Sequence, residues 1–416
     1  MSNYPSLSPL SEATQRYIAQ HLTDNVAQLA LRGTKDTNID LTAALTHIEA
    51  LQRLRTKVPT WTITKGLRFP LRLALEQCSG EIIAKHKAAL IASLLPTKGI
   101  RMADITGGMG VDFWAITTAV DVAEAHYIER LPQLCAAAAH NFPLLGLQHT
   151  TVHCNESEDW LAAQPKDSLD LIYLDPARRD GHGRKTILLE DCTPNLTTLL
   201  PNLLDKAKLV VAKLSPMLDI HATIARFSGV QDVHIYSHQG ECKEVVLIIG
   251  REAVEEPRLH CHAMDYTTHL TFLPSKEHAV RITIATTLRA YLYEPDVAVM
   301  KAGAFASVAT ACGSDLEKLH PNSHLYTSDT LHKHFAGRCF RIVADTPINK
   351  KAVRTTYATH IDLDSKPKAN LTVRNFPTTV TQLRKQLQLS EGGVLYLFAT
   401  TLHDGTHRLL WCKKVG

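Results

Sequence analysis

The residues best suited to chemistry lie in Asp104-Ile-Thr106-Gly107-Gly108-Met-Gly110-Val-Asp112, directly after the apolar run from 100 to 105. Glycines after a strand let backbone N–H groups approach a ligand, and the N-terminus of the next helix favours anionic or polar groups. A dinucleotide fingerprint needs a third small residue where this chain has Phe113. A P-loop needs Gly-Lys-Ser/Thr, which is absent. An acid at the strand end suits a positive ammonium group instead, and Asp104 and Asp112 both lie at this loop. Glu129 ends a second strand-like run 19 residues after Gly110, where a carboxylate accepts hydrogen bonds from a ribose diol. Asn155 and Glu156 follow a third run, in position to meet an adenine amine. The ligand that joins an amino-acid ammonium, a ribose and an adenine is S-adenosylmethionine. The expected cofactor-binding set is therefore Asp104, Thr106, Gly107, Gly108, Gly110, Asp112, Glu129, Asn155 and Glu156.

A fourth run, 169 to 174, ends in Asp175-Pro176-Ala177-Arg178-Arg179. Ligands of open α/β sheets bind beyond the carboxyl ends of the strands, so Asp175, Pro176 and Arg178 face the reacting group. Methyltransferases that act on exocyclic base amines resemble this with Asn/Asp-Pro-Pro-aromatic, from which Ala177 and Arg178 depart. Arg178, Arg179, Arg184 and Lys185 put four cations within eight residues, and Gly181 and Gly183 lie among them. That composition suits phosphate contacts on a closing loop. Ribose 2′-O-methyltransferases use a Lys-Asp-Lys-Glu tetrad. The chain offers Lys85 or Lys87, then Asp175, Lys213, and Glu241 or Glu244, in that order. A lysine desolvated by burial can act as a base; the competing reading pairs Lys213 with Glu244 as a structural ion pair. The expected catalytic set is Asp175, Pro176, Arg178, Lys213 and Glu244. Covalent catalysis needs a thiolate beside the reacting carbon, and Cys242 is the one nearby candidate. His260 and His262 lack a matching partner pair, so no metal is expected.

Alternating strands and helices must position these groups. Residues 1 to about 95 read as helical, with segments 14–31, 41–54 and 71–95 at helical spacing. Lys57-Val-Pro-Thr-Trp61 reads as an irregular link. From 99 to 250, seven strand-like runs predict βαβ units and a parallel, doubly wound sheet. The last two are joined by about eight residues, too few for a crossover helix, and so should pair antiparallel. Arg251 to Pro257 reads as a linker, followed by a mixed region to 330. The last part alternates again, with a helix over 379–389. The expected domains are 1–95, 96–250, 257–330 and 331–416.

Composition narrows the class. Over 416 residues, 45% are hydrophobic and 21% charged, which excludes disordered and fibrous classes. No run of about 18 apolar residues occurs, no secretory signal opens the chain, and nine cysteines form no Cys-x-x-Cys pair. Those features predict a cytoplasmic protein. The net charge of +4 is unevenly spread. Residues 331–416 carry 14 Lys and Arg against 5 Asp and Glu, and the rest is slightly acidic. A basic module on an acidic body points to a polyanion partner.

Residues 99–250 resemble the class I S-adenosylmethionine-dependent methyltransferases. Longer stretches are similar to one bacterial family of these enzymes: Lys57-Val-Pro-Thr-Trp61, Glu76-Gln-Cys-Ser79, Asp175-Pro-Ala-Arg-Arg179, Lys213-Leu-Ser-Pro-Met-Leu-Asp219, Glu241-Cys-Lys-Glu244, Asn375-Phe-Pro377 and Tyr396-Leu-Phe-Ala-Thr-Thr401. The resemblance implies a seven-stranded methyltransferase sheet with an N-terminal helical part. It also implies a ferredoxin-like region and a THUMP-like C-terminal α+β domain, and hence RNA, tRNA or rRNA, as partner. The expected function is S-adenosylmethionine-dependent methylation of RNA. The rivals are a protein or small-molecule methyltransferase, and a non-catalytic RNA-binding module with a residual cofactor site.

Overall fold

The computed structural model describes all residues except 1–3, 6, 70–71, 179–191, 267, 362–365 and 416. Two compact units emerge: Met1–Gln231 with Val246–Val254, and Asp232–Val245 with Glu255–Gly416. Arg179, Arg184, Lys185 and the two glycines of the expected basic loop lie outside the described residues, as does the side chain of Arg178.

The first unit opens with helices α1 (Glu12–Gln20), α2 (Val26–Arg32), α3 (Leu41–Lys57), α4 (Pro59–Ile63), α5 (Arg72–Gln77) and α6 (Glu81–Leu94). The helix expected over 14–31 is two helices, because Asn25 accepts the Gln28 N–H at 3.1 Å and caps a new start. The expected irregular link at 57–61 is also helical. α3 runs to Lys57 and α4 starts at Pro59, where a fixed φ and a missing N–H cost nothing.

The sheet elements follow: β1 (Ile100–Asp104), α7 (Val111–Ala119), β2 (Val122–Glu129), α8 (Pro132–Leu144), β3 (Thr150–Cys154), α9 (Ser157–Ala162) and β4 (Leu169–Leu174). After β5 (Ala177–Arg178) and β6 (Cys192–Thr193) come α10 (Leu196–Lys206), β7 (Ala207–Leu214), α11 (Ile220–Ile224), β8 (Val230–His238) and β9 (Glu241–Ile249). β10 (Arg258–Ala263) and β11 (Thr268–Phe272) complete the sheet, whose order is β11-β10-β8-β9-β7-β4-β1-β2-β3. It has nine strands rather than the expected seven, because the segment after the linker adds β10 parallel to β8 and β11 antiparallel to β10. β8 and β9 meet at Gln239 and Gly240, both at positive φ, the two-residue turn that joins antiparallel strands. All six residues of β4 are buried, as a strand covered on both faces requires.

Besides most of β8, the start of β9, β10 and β11, the second unit holds α12 (Pro274–Ala279), β12 (Tyr291–Pro295), α13 (Val297–Ala302), α14 (Phe305–Thr310), β13 (Glu317–Lys318), β14 (Tyr326–Ser328) and β15 (Gly337–Thr346). It ends with α15 (Lys350–His360), β16 (Lys368–Arg374), α16 (Val380–Leu387), β17 (Ser390–Thr401) and β18 (His407–Val415). Seven strands form its own sheet, in the order β13-β14-β12-β15-β18-β17-β16. Val353, Tyr357, Leu383 and Leu387 of α15 and α16 pack on Leu371, Leu397 and Trp411. The expected helix over 379–389 is α16, with Thr379 and Gln382 as its capping box.

Close packing holds the glycine loop in the first unit. A Cβ on Gly107 would overlap the Tyr127 ring. Gly110 sits at φ +79°, and its Cβ would stand 3.0 Å from the Phe142 ring. Gly107→Ala should therefore cost about 1–3 kcal/mol by overpacking. Denaturant unfolding checks this; a wild-type midpoint would show that the Tyr127 ring yields freely.

Candidate active site

Parallel pairing brings the strand ends to one edge. Asp104 stands opposite Tyr127 across β1 and β2, and Glu129 opposite Cys154 across β2 and β3. Asp104 is buried, and its Oδ1 accepts the Thr106 N–H at 3.0 Å. Its Oδ2 accepts nothing from the described residues. Burial pushes its carboxyl up to about 8, against the Thr106 hydrogen bond and with added repulsion from Asp112 and Asp175. A cation placed beside this carboxyl would relieve that cost.

Glu129 is fixed by two backbone donors. Gly108 N–H donates to its Oε2 and Leu131 N–H to its Oε1, both at 2.9 Å. The Tyr127 hydroxyl donates to the Gly108 carbonyl at 2.5 Å, so one aromatic ring both limits the loop and anchors it. Asn155 N–H donates to the Glu129 carbonyl at 3.1 Å, and Asn155 Oδ1 accepts the Glu156 N–H at 2.9 Å. The Asn155 and Glu156 side chains are exposed at the head of α9. Thr106 bridges two strand ends: its Oγ1 donates to Asp104 Oδ1 at 3.4 Å and accepts the Asp175 N–H at 2.6 Å, which joins the glycine loop to the end of β4.

Asp112, in the first turn of α7, has different partners from Asp104. Its Oδ2 accepts from Ser79 Oγ at 2.8 Å and Tyr173 Oη at 2.9 Å, with Lys213 Nζ at 3.4 Å. Its Oδ1 meets Lys87 Nζ at 2.9 Å. Burial alone would raise this carboxyl, but the Lys87 and Lys213 charges outweigh it and hold it well below the usual carboxylate range. Lys213, the penultimate residue of β7, is nearly buried, and its Nζ also lies 3.1 Å from Ser79 Oγ and 2.6 Å from Asp175 Oδ2. Asp175 is the open member, with 38% of its side chain exposed. Two cations and two carboxylates thus share one hydrogen-bonded cluster, dry at Lys87 and wet at Asp175.

The two candidate lysines differ in environment. Lys87 is fully buried in the cluster, and Lys85 is exposed and paired with Glu81 at 2.5 Å. Of the two glutamates, Glu241 is exposed beside Lys243 at 2.6 Å, and Glu244 is buried on β9. Pro176 directly follows Asp175 and is half-buried. Ser79 and Tyr173 had no expected role. The signal for Tyr173 is a hydroxyl in an otherwise apolar strand end; Ser79 is marked only by the family-like stretch Glu76-Gln-Cys-Ser79. Cys242 is half-buried, and burial pushes its thiol up to about 11, unlike an activated nucleophile. Among the described residues no group of three or more His, Cys, Asp or Glu is placed to hold a metal ion, and no helix is long and apolar enough to cross a membrane.

A parallel sheet with a glycine loop after its first strand and acids at its strand ends is the architecture of class I S-adenosylmethionine-dependent methyltransferases. A ferredoxin-like family model matches residues 291–335 and a THUMP-like one residues 337–414. The crystal structure of a candidate methyltransferase from Porphyromonas gingivalis W83 is similar over 98% of this chain and 100% of that one, at 31% identity and a TM-score of 0.82. A candidate class I S-adenosylmethionine-dependent methyltransferase from Listeria monocytogenes aligns over 60% of this chain and 93% of that one, at 12% identity and a TM-score of 0.37. A candidate RNA methyltransferase from Pyrococcus horikoshii aligns over 47% and 96%, at 17% identity and 0.33. No curated protein matches the chain. The chain belongs to the bacterial family of class I S-adenosylmethionine-dependent methyltransferases with a ferredoxin-like region and a THUMP-like C-terminal domain.

The raised Asp104 carboxyl has a consequence for stability. Folded Asp104 keeps its proton up to about pH 8, whereas the unfolded side chain loses it near pH 4. The folded state binds more protons across that window, so this residue's contribution falls as pH rises through it. In urea unfolding, the stability of wild type relative to Asp104→Asn should decline from about pH 5 to about pH 8. A constant difference would show that Asp104 is ionised in the fold.

Proposed function

We propose that this methyltransferase acts on RNA, with residues 96–250 carrying the cofactor and reaction centre and residues 331–416 binding the RNA. The observation that carries the reading is the unpaired positive charge of the THUMP-like module. Arg341 and Lys413 stand directly opposite each other across β15 and β18, an arrangement that costs stability unless something anionic meets it. Both are exposed and have no acidic partner among the described residues, and the same holds for Lys350, Lys351, Lys366 and Lys368. Phosphates along a nucleic-acid backbone complement such a surface.

The residues of the first unit suit S-adenosylmethionine. In this reading the Asp104 carboxyl and the loop around Thr106, Gly107, Gly108 and Gly110 take its amino-acid end. Glu129 takes the ribose, and Asn155 or Glu156 the adenine side. Bound there, the cofactor supplies an electrophilic methyl group. Asp175 accepts a hydrogen bond from the substrate group that is methylated, and Pro176 shapes the approach. Lys213 holds the Asp175 carboxylate in line, and Asp112, Ser79 and Lys87 hold Lys213. Asp112 is thereby read as an anchor of the reaction centre rather than a cofactor ligand.

RNA binding is tested by substitution, because β12 and β15 pair in one sheet and a deletion at 330 would break it. Affinity for total tRNA or rRNA should fall steeply with salt, and Arg341→Ala with Lys413→Ala should lower the slope of log K against log salt by roughly one per side chain. Salt-independent binding would reject the reading. Nucleoside mass spectrometry of RNA from a deletion strain should show one methylated nucleoside lost.

Lys213→Arg separates positioning from base catalysis, because guanidinium cannot give up a proton in proteins. With cofactor affinity checked separately, positioning predicts substantial turnover for Lys213→Arg and a loss of at least about tenfold for Lys213→Ala, on the scale of a hydrogen bond to a charged group. Equal losses in both variants would assign Lys213 as the base.

A further inference from the structure

Nine cysteines are reduced in the structure, and two of them, Cys135 and Cys154, lie against one backbone turn at a corner of the sheet. Cys135 lies in the first turn of α8, and Cys154 ends β3. The Cys135 thiol donates to the Glu129 carbonyl at 3.0 Å and lies 3.9 Å from the His153 carbonyl. The Cys154 thiol lies 3.9 Å from the Arg130 carbonyl, and Cys154 is the register partner of Glu129 across β2 and β3. The two thiols therefore flank one backbone turn, and burial together with hydrogen bonding between them raises the Cys135 thiol. Cys135 is fully buried and Cys154 half-exposed. The chain leaves this corner on one side as Leu131 and on the other as Asn155 and Glu156.

We propose that Cys135 and Cys154 form a reversible disulfide that weakens cofactor binding. The inference rests on the reading of Glu129 as the ribose-binding acid. The oxidant is a low-molecular-weight disulfide. The Cys154 thiolate attacks one of its sulfurs, the S–S bond breaks, and one small thiolate leaves. Cys135 then loses its proton and attacks Cys154 Sγ in the mixed disulfide, releasing the second small thiol. Two protein thiols are oxidised, one small disulfide is reduced to two thiols, and the two protons end on those thiols. Chemistry starts at Cys154 because only that sulfur is reachable from solvent, and burial keeps Cys135 as the second thiol.

The bond changes the cofactor corner in two ways. Cys135 can no longer donate to the Glu129 carbonyl, because its S–H is gone. The start of α8 is also tied to the end of β3, which fixes the backbone between Glu129 and Asn155 in a geometry set by the disulfide. Glu129 depends on the Gly108 and Leu131 N–H groups, so a shift of this turn moves the carboxylate from its hydrogen bonds.

The test uses the full chain, equilibrated with oxidised or with reduced glutathione. Non-reducing peptide mapping identifies the linked cysteines, and calorimetry measures S-adenosylmethionine affinity. The expected result is a Cys135–Cys154 peptide pair and affinity about tenfold weaker, the scale of one hydrogen bond to a charged group, both reversed by dithiothreitol. Cys154→Ser, with Cys154→Ala as a second variant, should bind like reduced wild type and ignore the oxidant. Three outcomes overturn the proposal: no such pair in the map, the pair present with affinity within twofold of the reduced protein, or the same loss in the Cys154 variants. If reduced wild type binds no S-adenosylmethionine, the reading of Glu129 fails, and the peptide map alone then decides whether the disulfide forms.

Discussion

The interaction on which the first unit depends is the Asp112 carboxylate held between Lys87 and Lys213. Each of these charges would be costly to bury alone, and removing one partner of a buried pair typically costs about 3–5 kcal/mol. Asp112 recovers its lost hydration from two ammonium groups, the Ser79 hydroxyl and the Tyr173 hydroxyl. The α7 N-terminus adds its own favourable field for a negative side chain. Because the partners come from α6, from Ser79 two residues before it, from β4 and from β7, the cluster ties the N-terminal helices to the sheet. It also leaves one carboxylate, Asp175, facing outward with its geometry set from behind.

A second constraint, steric rather than electrostatic, governs the glycine loop. The Tyr127 ring leaves no room for a side chain at Gly107, and the Tyr127 hydroxyl takes the Gly108 carbonyl. Gly108 N–H then goes to Glu129. One residue near the end of β2 thus determines how close the loop backbone comes to the strand ends. The Thr106 hydroxyl accepting from the Asp175 N–H carries that placement across to β4. The two halves of the site are held by the same few loop residues, so they are set together rather than independently.

The second unit solves a different problem. Its seven-stranded sheet interleaves β12 with β14 and β15, so the ferredoxin-like and THUMP-like segments share one ladder of hydrogen bonds. Buried Glu294 on β12 pairs with Arg338 on β15 and with Arg374 on β16, 2.8 Å away in the latter case. Some arginines of the basic segment are therefore spent on internal pairing. Others, such as Arg341 and Lys413, have no acidic partner among the described residues. Net charge alone cannot make this division.

Much of the site was legible in the sequence because its markers are local. A strand followed by glycines and an acid, and further acids at later strand ends, are short patterns whose meaning does not need distant contacts. Asp104, Glu129, Asn155 and Asp175 could therefore be placed at the ends of particular strands, and the structure sets them at the ends of β1 to β4. The antiparallel last pair was legible for the same reason, since eight residues cannot cross a sheet. What only the tertiary structure decided is which side chains meet across long separations. Lys85 and Lys87 are two residues apart on one helix, about 200° around its axis, so packing buries one and exposes the other. Ser79 looks like any helix-flanking serine until β7 brings Lys213 to 3.1 Å from it. Asp112 and Asp104 look alike in the sequence. They differ because one faces a cage of cations and the other is bonded only to Thr106 of its own loop, and the fold sets that electrostatic difference through space.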